Sequence, residues 1–388
     1  MKKLFIRMIA VMLSIISVFT FFVTCPVVSA ATVENSGVLV FSKKLHGEMY
    51  ISKHFKIKEY ACKDGSDMIL IDPQLVLILQ QIRDYFGKPI TINSAYRTAS
   101  YNKKIGGTTN SRHVKGMAAD ISVKGISPAE VAKFAETLGV KGIGLYETSS
   151  DGYFVHIDTR SNKSYWYGQA QQPRSTFGGN FHSKTYAKEA LINLNAPESI
   201  KVGQEYAFTG TLLTAWEIKS CAGKIIDISG NIPVSFTFLP KGKYCELSQD
   251  ADGLHAGIYT LEITASAKNG KQYTYKTKFV VLGSQTSPNL SVKSNIVSFK
   301  KGKLPTIEGT IQATLFGKIK RTHVLVINND GGIVQEVSST PNARKVKVAD
   351  LLRKIDFQKL KTGKYSLVII GCDSKGKVVC RTQTFTVK

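Results

Sequence analysis

Two histidines and one aspartate have the residue types and spacing of a metal site. His113 and Asp120 lie in the stretch SRHVKGMAAD, and His156 lies in GYFVHIDTR. A zinc hydrolase needs three protein ligands and an open fourth position for water. The metal lowers the pKa of that water to about 7, so hydroxide is available at neutral pH. The alternative is three unrelated polar residues, and spacing alone does not decide between the two interpretations.

The segments around these residues predict a loop and two strands that would position them. His113 lies in the glycine- and serine-rich loop GGTTNSRHVKG, and Asp120 follows in MAADISV, whose alternation predicts a strand. Gly116 would allow the chain to turn back between them. Alternate residues of a strand point to one face, so His156 and Asp158 are expected to share a face.

Residues 50 to 170 combine helix and strand signals typical of an α+β unit. The stretch IDPQLVLILQQIRDYFGKP predicts a helix that Asp72 caps and Gly87 ends. The stretch SPAEVAKFAETLG predicts a second helix, in which Ser127 and Glu130 have capping-box spacing. The later stretch IGLYETSSDGYFVHID predicts a β-hairpin.

The remainder of the chain repeats itself after residues 171 to 190, which lack periodicity and are interpreted as a linker. The stretches HAGIYTLEITASAKNGKQYTYKTKFVVL and KTGKYSLVIIGCDSKGKVVCRTQTFTVK each contain Gly-x-Tyr-x-Leu, a glycine turn and Phe-x-Val. Tandem strand-rich units of about a hundred residues are typical of β-sandwiches. We predict two β-sandwich-like domains, residues 191 to 283 and 288 to 388, as spacers or wall-binding modules.

The first thirty residues have the layout of a secretory signal. Positive residues precede an apolar run, and a small-residue cleavage site ends at Ala30. The alternative is an uncleaved membrane anchor, because the apolar run from Met8 to Val23 is nearly long enough to span. Residues 1 to 30 are interpreted as a signal peptide, and the mature chain is expected to be secreted or associated with the cell wall.

The net charge of +24 over 388 residues indicates an acidic partner. The anionic polymers of a cell wall suit an exported protein, whereas nucleic acid is not expected as a partner outside the cell. The alternative is that the lysines only keep the protein soluble.

Five cysteines follow the signal segment, and none forms a CxxC pair, which argues against a cysteine zinc site. An oxidising exterior permits disulfides between Cys221 and Cys245 and between Cys372 and Cys380. Cys62 would then be an unpaired, buried thiol.

A family resemblance favours the metal-site interpretation. The stretch SAYRTASYNKKIGGTTNSRHVKGMAADI, followed by GIGLY and GYFVHID, closely resembles the zinc D-Ala-D-Ala carboxypeptidase family of peptidoglycan peptidases, family M15. HFKIKEYACKDG resembles the start of such a domain. The likeness covers residues 50 to 170, under a third of the chain. The family pattern Ser-x-His-x-x-Gly-x-Ala-x-Asp is met by Ser111, His113, Gly116, Ala118 and Asp120.

The resemblance implies a multi-domain chain in which an α+β zinc peptidase domain precedes the two β-sandwich-like domains. It implies Zn²⁺ held by His113, Asp120 and His156. It also implies that Arg97 steadies the substrate carboxylate or the developing oxyanion, for which a planar, permanently charged guanidinium is suited. Ser111 would either bind substrate or shape the loop.

A hydrolase of this type also needs a general base near the water. Well-studied members of the family carry Asp or Glu three residues before the last histidine, but here that position is Tyr153. The nearby substitutes are Asp151, Glu147 and Asp158. We assign the base to Asp151, in the predicted hairpin turn, whereas Asp158 would instead orient a metal ligand from behind.

The expected function is an exported zinc peptidase that trims peptidoglycan stem peptides as a D,D-carboxypeptidase. One alternative is a wall-binding protein whose catalytic domain has lost its base, which the tyrosine at position 153 motivates. Another is an endopeptidase that uses the same site on L-Ala-D-Glu or cross-bridge bonds.

Overall fold

The computed structural model describes residues 31–32, 37–150, 152–179, 188–287, 290–295, 308–314 and 317–388. The predicted signal peptide, residues 1 to 30, lies outside these ranges. Within them, no helix combines the length and apolar character needed to cross a membrane. The chain is multi-domain and mostly β-sheet.

The N-terminal part forms two small sheets and a short helix. The elements are β1 (Ala31–Thr32), β2 (Leu39–Ser42), α1 (Lys43–His46), β3 (Tyr50–Ser52), β4 (Phe55–Lys56), a 3₁₀ helix (Ile57–Tyr60) and β5 (Met68–Ile71). The strand order is β1-β2-β5 in one sheet, and β3 pairs with β4 in the other.

The next part builds a six-stranded sheet in the order β11-β10-β8-β9-β7-β6, with helices between its strands. The elements are α2 (Pro73–Phe86), β6 (Ile90–Ser94), α3 (Ala99–Lys104), β7 (Ala118–Val123), α4 (Pro128–Thr137), β8 (Gly142–Tyr146), β9 (Phe154–Asp158), β10 (Ser164–Tyr167) and β11 (Gln172–Arg174). The predicted hairpin is confirmed, because β8 and β9 pair antiparallel. Strand β11 falls within the range interpreted as a linker, and residues 180–187 of that range lie outside the described residues.

Both predicted helices begin as their capping residues indicate. The Asp72 carboxylate accepts the backbone N–H of Gln74 at 2.9 Å, and α2 ends at Gly87 in the left-handed region. Ser127 and Glu130 form the predicted capping box of α4. These ends fix the limits of both helices. Helix α4 packs against β8 and β9 of the sheet that carries the candidate ligands, and α2 packs against α4.

Residues 190 to 282, here called the first β-region, fold into two sheets, β12-β14-β18-β17 and β13-β20-β19-β15-β16. The strands are β12 (Ala190–Asn195), β13 (Ser199–Lys201), β14 (Ala207–Thr214), β15 (Ile218–Asp227), β16 (Val234–Phe238), β17 (Pro240–Lys241), β18 (Tyr244–Asp250), β19 (Gly257–Ala267) and β20 (Gln272–Leu282). Both sheets contribute to one core, in which Phe208 and Leu247 join Leu261 and Phe279.

Residues 284 to 387, here called the second β-region, have the sheets β22-β23-β26 and β21-β28-β27-β24-β25. The elements are β21 (Ser284–Gln285), β22 (Leu290–Asn295), β23 (Glu308–Ala313), β24 (Ile319–Asn328), β25 (Ile333–Ser339), β26 (Lys345–Lys347), α5 (Val348–Leu352), a 3₁₀ helix (Phe357–Lys359), β27 (Gly363–Asp373) and β28 (Val378–Val387). Four strands of its five-stranded sheet, β28-β27-β24-β25, have the same order as β20-β19-β15-β16 of the first β-region, in agreement with the sequence repeat. The edge strands differ, because β13 pairs parallel with β20 and β21 pairs antiparallel with β28.

Apolar packing joins the two β-regions. Ile258 and Val280 of the first pack with Leu325 and Val368 of the second in a shared buried cluster. The outer face of the second five-stranded sheet is therefore covered by the first β-region, which fits the nearly continuous apolar runs in β24 and β27.

The first β-region also contacts the N-terminal part, where Thr211 Oγ1 donates to the Ile51 carbonyl at 3.0 Å. A cavity of about 330 Å³ lies at this junction, between Gln80 of α2 and Asn193 of β12. None of the predicted site residues lines it.

The five cysteines among the described residues are buried thiols. Cys221 and Cys245 lie together in the core between the two sheets of the first β-region. Cys372 lies opposite Val378 on the neighbouring strand, and Cys380 lies opposite Ile370. The expected meeting of Cys372 with Cys380 across their hairpin is therefore wrong, because the strand register offsets them by two residues.

Candidate metal centre

Three buried side chains converge at the six-stranded sheet, namely His113, Asp120 and His156. One ligand atom from each lies within 4.8 Å of the other two. His113 Nε2 is 3.2 Å from His156 Nδ1, and Asp120 Oδ1 is 3.3 Å and 2.9 Å from these two nitrogens. The three residues singled out by the sequence are thus brought to one point.

Strand pairing explains the meeting of Asp120 and His156. They are direct partners in the antiparallel pairing of β7 with β9, at the middle of the sheet. Side chains of directly opposed residues stand on the same face of a sheet. The carboxylate and the imidazole therefore come together without help from a loop.

His113 reaches the same point from the loop before β7. Gly116 has φ +68°, and a Cβ there would lie 2.6 Å from the Leu70 carbonyl carbon, so the turn requires glycine. His113 Nδ1 lies 2.7 Å from the carbonyl oxygen of Ala95, so this nitrogen donates and Nε2 is free to act as a ligand. The Ser111 hydroxyl accepts the His113 backbone N–H at 3.3 Å and so shapes the loop.

His156 is held from behind by a carboxylate. Its Nε2 lies 3.1 Å from Asp158 Oδ2, so Nε2 donates and Nδ1 faces the cluster. Arg160 donates to the same carboxylate. Its Nε lies 2.8 Å from Oδ1 and 2.9 Å from Oδ2, and its Nη2 lies 2.5 Å from Oδ2. A carboxylate that orients a histidine and raises its basicity is the usual support of a metal-bound imidazole.

Two glycines of β8 make room for this support. A Cβ at Gly142 would overlap the Asp158 carboxylate, and a Cβ at Gly144 would overlap the Trp166 indole. The Trp166 ring lies 5.1 Å from the His156 ring and is anchored by a 2.9 Å hydrogen bond from its Nε1 to the Tyr146 hydroxyl. The back of the site is therefore closely filled.

The electrostatics of the cluster favour a cation. Burial raises the pKa of Asp120, but His113 and His156 outweigh it and hold this pKa well below its ordinary value. Burial lowers the pKa of His156, whereas hydrogen bonds with Asp120 and Asp158 raise it to about 9. Burial lowers the pKa of His113, which favours its neutral form. The two carboxylates that attract a proton to His156 would equally attract a divalent ion.

These residues fit Zn²⁺. Two imidazole nitrogens and one carboxylate oxygen are a donor set of catalytic zinc sites. Each histidine has its other nitrogen fixed by a hydrogen bond, to Ala95 or to Asp158, as metal-binding histidines do.

Arg97 lies beside the cluster rather than apart from it. Its Nη2 is 2.5 Å from Asp120 Oδ2, and its Nε donates to the Ser94 hydroxyl at 2.8 Å. The guanidinium that was expected to meet substrate is thus also an ion-pair partner of a candidate ligand.

The candidate bases have different positions. Asp151 lies outside the described residues. Glu147 accepts the backbone N–H of Ala129, at the start of α4, at 3.1 Å. Asp158 is fully buried and committed to His156 and Arg160.

Sequence reasoning missed Arg160, Trp166 and the role of the two glycines. Alternate residues of a strand share one face, and this alternation relates His156 to Asp158 and, two residues later, Arg160. The alternating glycines of GIGLY indicate a large neighbour on one face of β8. Both signals were present in the sequence, but neither identifies its partner.

Comparison with known proteins agrees with this geometry. A family model described as Peptidase M15 matches residues 51–158, which include all three candidate ligands. The peptidoglycan L,D-endopeptidase MepK of Escherichia coli K12 is 34% identical over 134 residues, covering 32% of this chain and 72% of that protein.

Two further relatives are similar over shorter shares. A probable peptidoglycan L,D-endopeptidase MepK of Haemophilus influenzae is 31% identical over 132 residues, covering 30% of this chain and 69% of that protein. The zinc D-Ala-D-Ala carboxypeptidase of Streptomyces albus G is 36% identical over 81 residues, covering 21% of this chain and 30% of that protein.

Proposed function

Since the chain belongs to the M15 peptidase family and is a zinc-dependent hydrolase of peptidoglycan, we propose that it is an endopeptidase that cuts a bond between an L and a D residue. The observation that carries the proposal is the buried cluster of His113, Asp120 and His156 inside the range that the family model matches. The choice of an endopeptidase rests on coverage, because the L,D-endopeptidases align over 69–72% of their length and the carboxypeptidase over 30%.

In this proposal, each residue around the cluster has a distinct task. His113, Asp120 and His156 hold the zinc ion, which when bound supplies Lewis acidity to the scissile carbonyl and lowers the pKa of a water molecule. Asp158 and the Ala95 carbonyl fix the tautomers of the two histidines.

Arg97 provides the positive charge next to the reacting carbonyl. Its planar guanidinium stabilises negative charge that develops on the substrate oxygen, or binds a substrate carboxylate. The Asp120 ion pair and the Ser94 hydroxyl hold the guanidinium in place before substrate arrives, so no reorganisation is needed during the reaction.

Asp151 remains the proposed general base. Glu147 is engaged at the start of α4, and Asp158 behind His156, so neither carboxylate is available to take a proton from water. In the sequence, Asp151 stands between the segments that form β8 and β9, next to Gly152.

Two other functions each have an observation in their favour. The 36% identity with a zinc D-Ala-D-Ala carboxypeptidase favours D,D-carboxypeptidase activity. The tyrosine at position 153, where well-studied family members carry a carboxylate, favours a catalytically degenerate wall-binding protein.

The remaining parts of the chain serve delivery and attachment in this proposal. Residues 1 to 30 act as a signal peptide, and 50 to 170 as the peptidase domain. A linker at 171 to 190 leads to two β-sandwich modules, 191 to 283 and 288 to 388. The protein is secreted or wall-associated, and its β-modules hold it near peptidoglycan and anionic wall polymers rather than nucleic acid.

Mass spectrometry of digested muropeptides tests the function. The substrates are a soluble cross-linked dimer and a free pentapeptide, each with and without a chelator, and His113→Ala is the inactive control. We expect a new pair of fragments cut at an L,D bond, and no cleavage with chelator or in the variant. Release of D-Ala alone would establish the carboxypeptidase instead, and intact substrates with zinc bound would establish the degenerate protein.

A further inference from the structure

The positive charge of the chain is concentrated in its last repeat. Residues 288 to 388 hold nineteen Lys and Arg against six Asp and Glu, a net charge of +13 out of +24 for the chain. Residues 191 to 283 hold nine against eight, a net charge of +1. Because four strands of the five-stranded sheet follow the same order in both β-regions, the shared fold does not require this difference. It indicates that only the second β-region is adapted to a polyanion.

Six exposed cations meet at one end of the second β-region, here called the basic end. They come from three segments: the start of β24, the start of β26 and the turn between β27 and β28. The Ser374 N–H donates to the Lys318 carbonyl at 3.0 Å, and the Ile319 N–H donates to the Ala343 carbonyl at 2.7 Å, so the segments are neighbours. The six are Lys318, Lys320, Arg344, Lys345, Lys375 and Lys377.

The basic end has few carboxylates near its six cations. Asp373 is the carboxylate nearest in sequence, but it is buried and accepts the backbone N–H groups of Lys375 and Lys377, each at 2.8 Å. Other carboxylates of this β-region pair elsewhere, Asp350 with Arg353 and Asp356 with Lys359. Within the described ranges, none of the six cations forms an ion pair.

At the equivalent end of the first β-region, a lysine is paired with a carboxylate of the same region. There the Lys268 N–H donates to the Glu217 carbonyl at 2.8 Å, the counterpart of the Ser374 bond to Lys318. Glu217 therefore occupies the position of Lys318, and its carboxylate pairs with Lys268 Nζ at 2.6 Å. Between the repeats, an acidic residue has been exchanged for a basic one at an equivalent position.

We propose that the basic end binds a linear phosphodiester polyanion of the cell wall. Five of its six cations are lysines, which act as hydrated point charges and suit phosphates along a flexible polymer better than one planar carboxylate. Cations spread over three segments bind a chain of charges and release its counterions, so the affinity depends on several contacts at once. The inference rests on the proposed function only in taking the wall as the location.

The test is binding of the full-length chain to poly(glycerol phosphate) over a series of salt concentrations. The variant carries Lys318→Gln, Lys345→Gln, Lys375→Gln and Lys377→Gln. The matched control carries Lys354→Gln, Lys361→Gln, Lys364→Gln and Lys388→Gln, which are exposed lysines away from the basic end and change the net charge equally. We expect the variant to bind at least about tenfold more weakly, with a salt slope smaller by up to about three, and the control to bind nearly as wild type.

Three results would overturn the proposal. Equal loss in variant and control would mean that net charge alone drives binding, and unchanged binding in both would exclude the basic end. Tighter binding of single-stranded DNA than of poly(glycerol phosphate) at equal phosphate concentration would assign the surface to nucleic acid. Cleavage of soluble muropeptides by the same proteins is measured in parallel, so failure of polymer binding and failure of the peptidase function are separately visible.

Discussion

His156 and Asp158, two residues apart on one strand, form a hydrogen bond of 3.1 Å on the side of the imidazole that faces away from the candidate metal. Burial raises the pKa of Asp158, but the hydrogen bonds with His156 and Arg160 outweigh it and hold this pKa below its ordinary value. The carboxylate therefore stays charged and keeps Nε2 of His156 protonated, which leaves Nδ1 for a metal ion.

Replacing this carboxylate should weaken zinc binding. For Asp158→Asn we expect the zinc dissociation constant to rise by about tenfold to a hundredfold. A neutral amide lacks the negative charge that makes the imidazole a stronger ligand, and it orients the ring less well. Competition with a chromogenic chelator measures the constant, and Asp356→Asn, on an exposed surface, is the control. Gly142→Ala should weaken zinc binding as well, because its Cβ displaces the same carboxylate. Unchanged affinity in both variants would show that Asp158 does not support the ligand.

Arg97→Gln should reduce catalysis without emptying the metal site. Loss of a charged donor near a developing oxyanion costs about a hundredfold in kcat/KM, and we expect the zinc content to remain at the wild-type level. Arg97→Lys should recover only part of the activity, because it lacks the planar fork. If the guanidinium serves only to brace Asp120, the zinc content would fall instead, and excess zinc would restore activity.

The thiols of Cys221 and Cys245 should form a disulfide in oxidised protein. They lie together in the core between two sheets, within reach of a mutual hydrogen bond. The bond should stabilise the first β-region by about 3 kcal/mol against denaturant, an effect lost with reductant or in Cys221→Ser. Alkylation and peptide mapping identify the pair, with Cys62→Ser as control. Recovery of both residues as free thiols after oxidation would contradict this expectation.

Asp72 should make stability depend on pH in a predictable direction. Burial raises its pKa in the folded protein, so its contribution to stability is present below the unfolded pKa of about 3.9 and is lost as pH rises through the folded pKa. Asp72→Asn keeps an oxygen for the Gln74 N–H but carries no charge. With metal removed from both proteins, the variant should gain stability relative to wild type as pH rises above about 4. A difference that is constant with pH would refute the assignment.

The sequence predicts the ligands better than it predicts their supports. The types and spacing of His113, Asp120 and His156, together with the family resemblance, identify the cluster, and the strand period places Asp158 behind His156. The Ala95 carbonyl is not predictable, because every residue carries the same group and only the path of the chain selects one. Likewise, the apolar runs of β24 and β27 indicate strands buried on both faces, but not that the first β-region covers one of them.

The central claim is that His113, Asp120 and His156 bind one zinc ion, and elemental analysis of purified protein tests it most directly. We predict about one zinc per chain in wild type and in His255→Ala, an exposed histidine elsewhere, as a single catalytic site requires. His113→Ala, Asp120→Ala and His156→Ala should each lose the metal while circular dichroism shows the fold retained. A full equivalent of zinc in any of these three variants, or none in wild-type protein supplied with zinc, would contradict the claim.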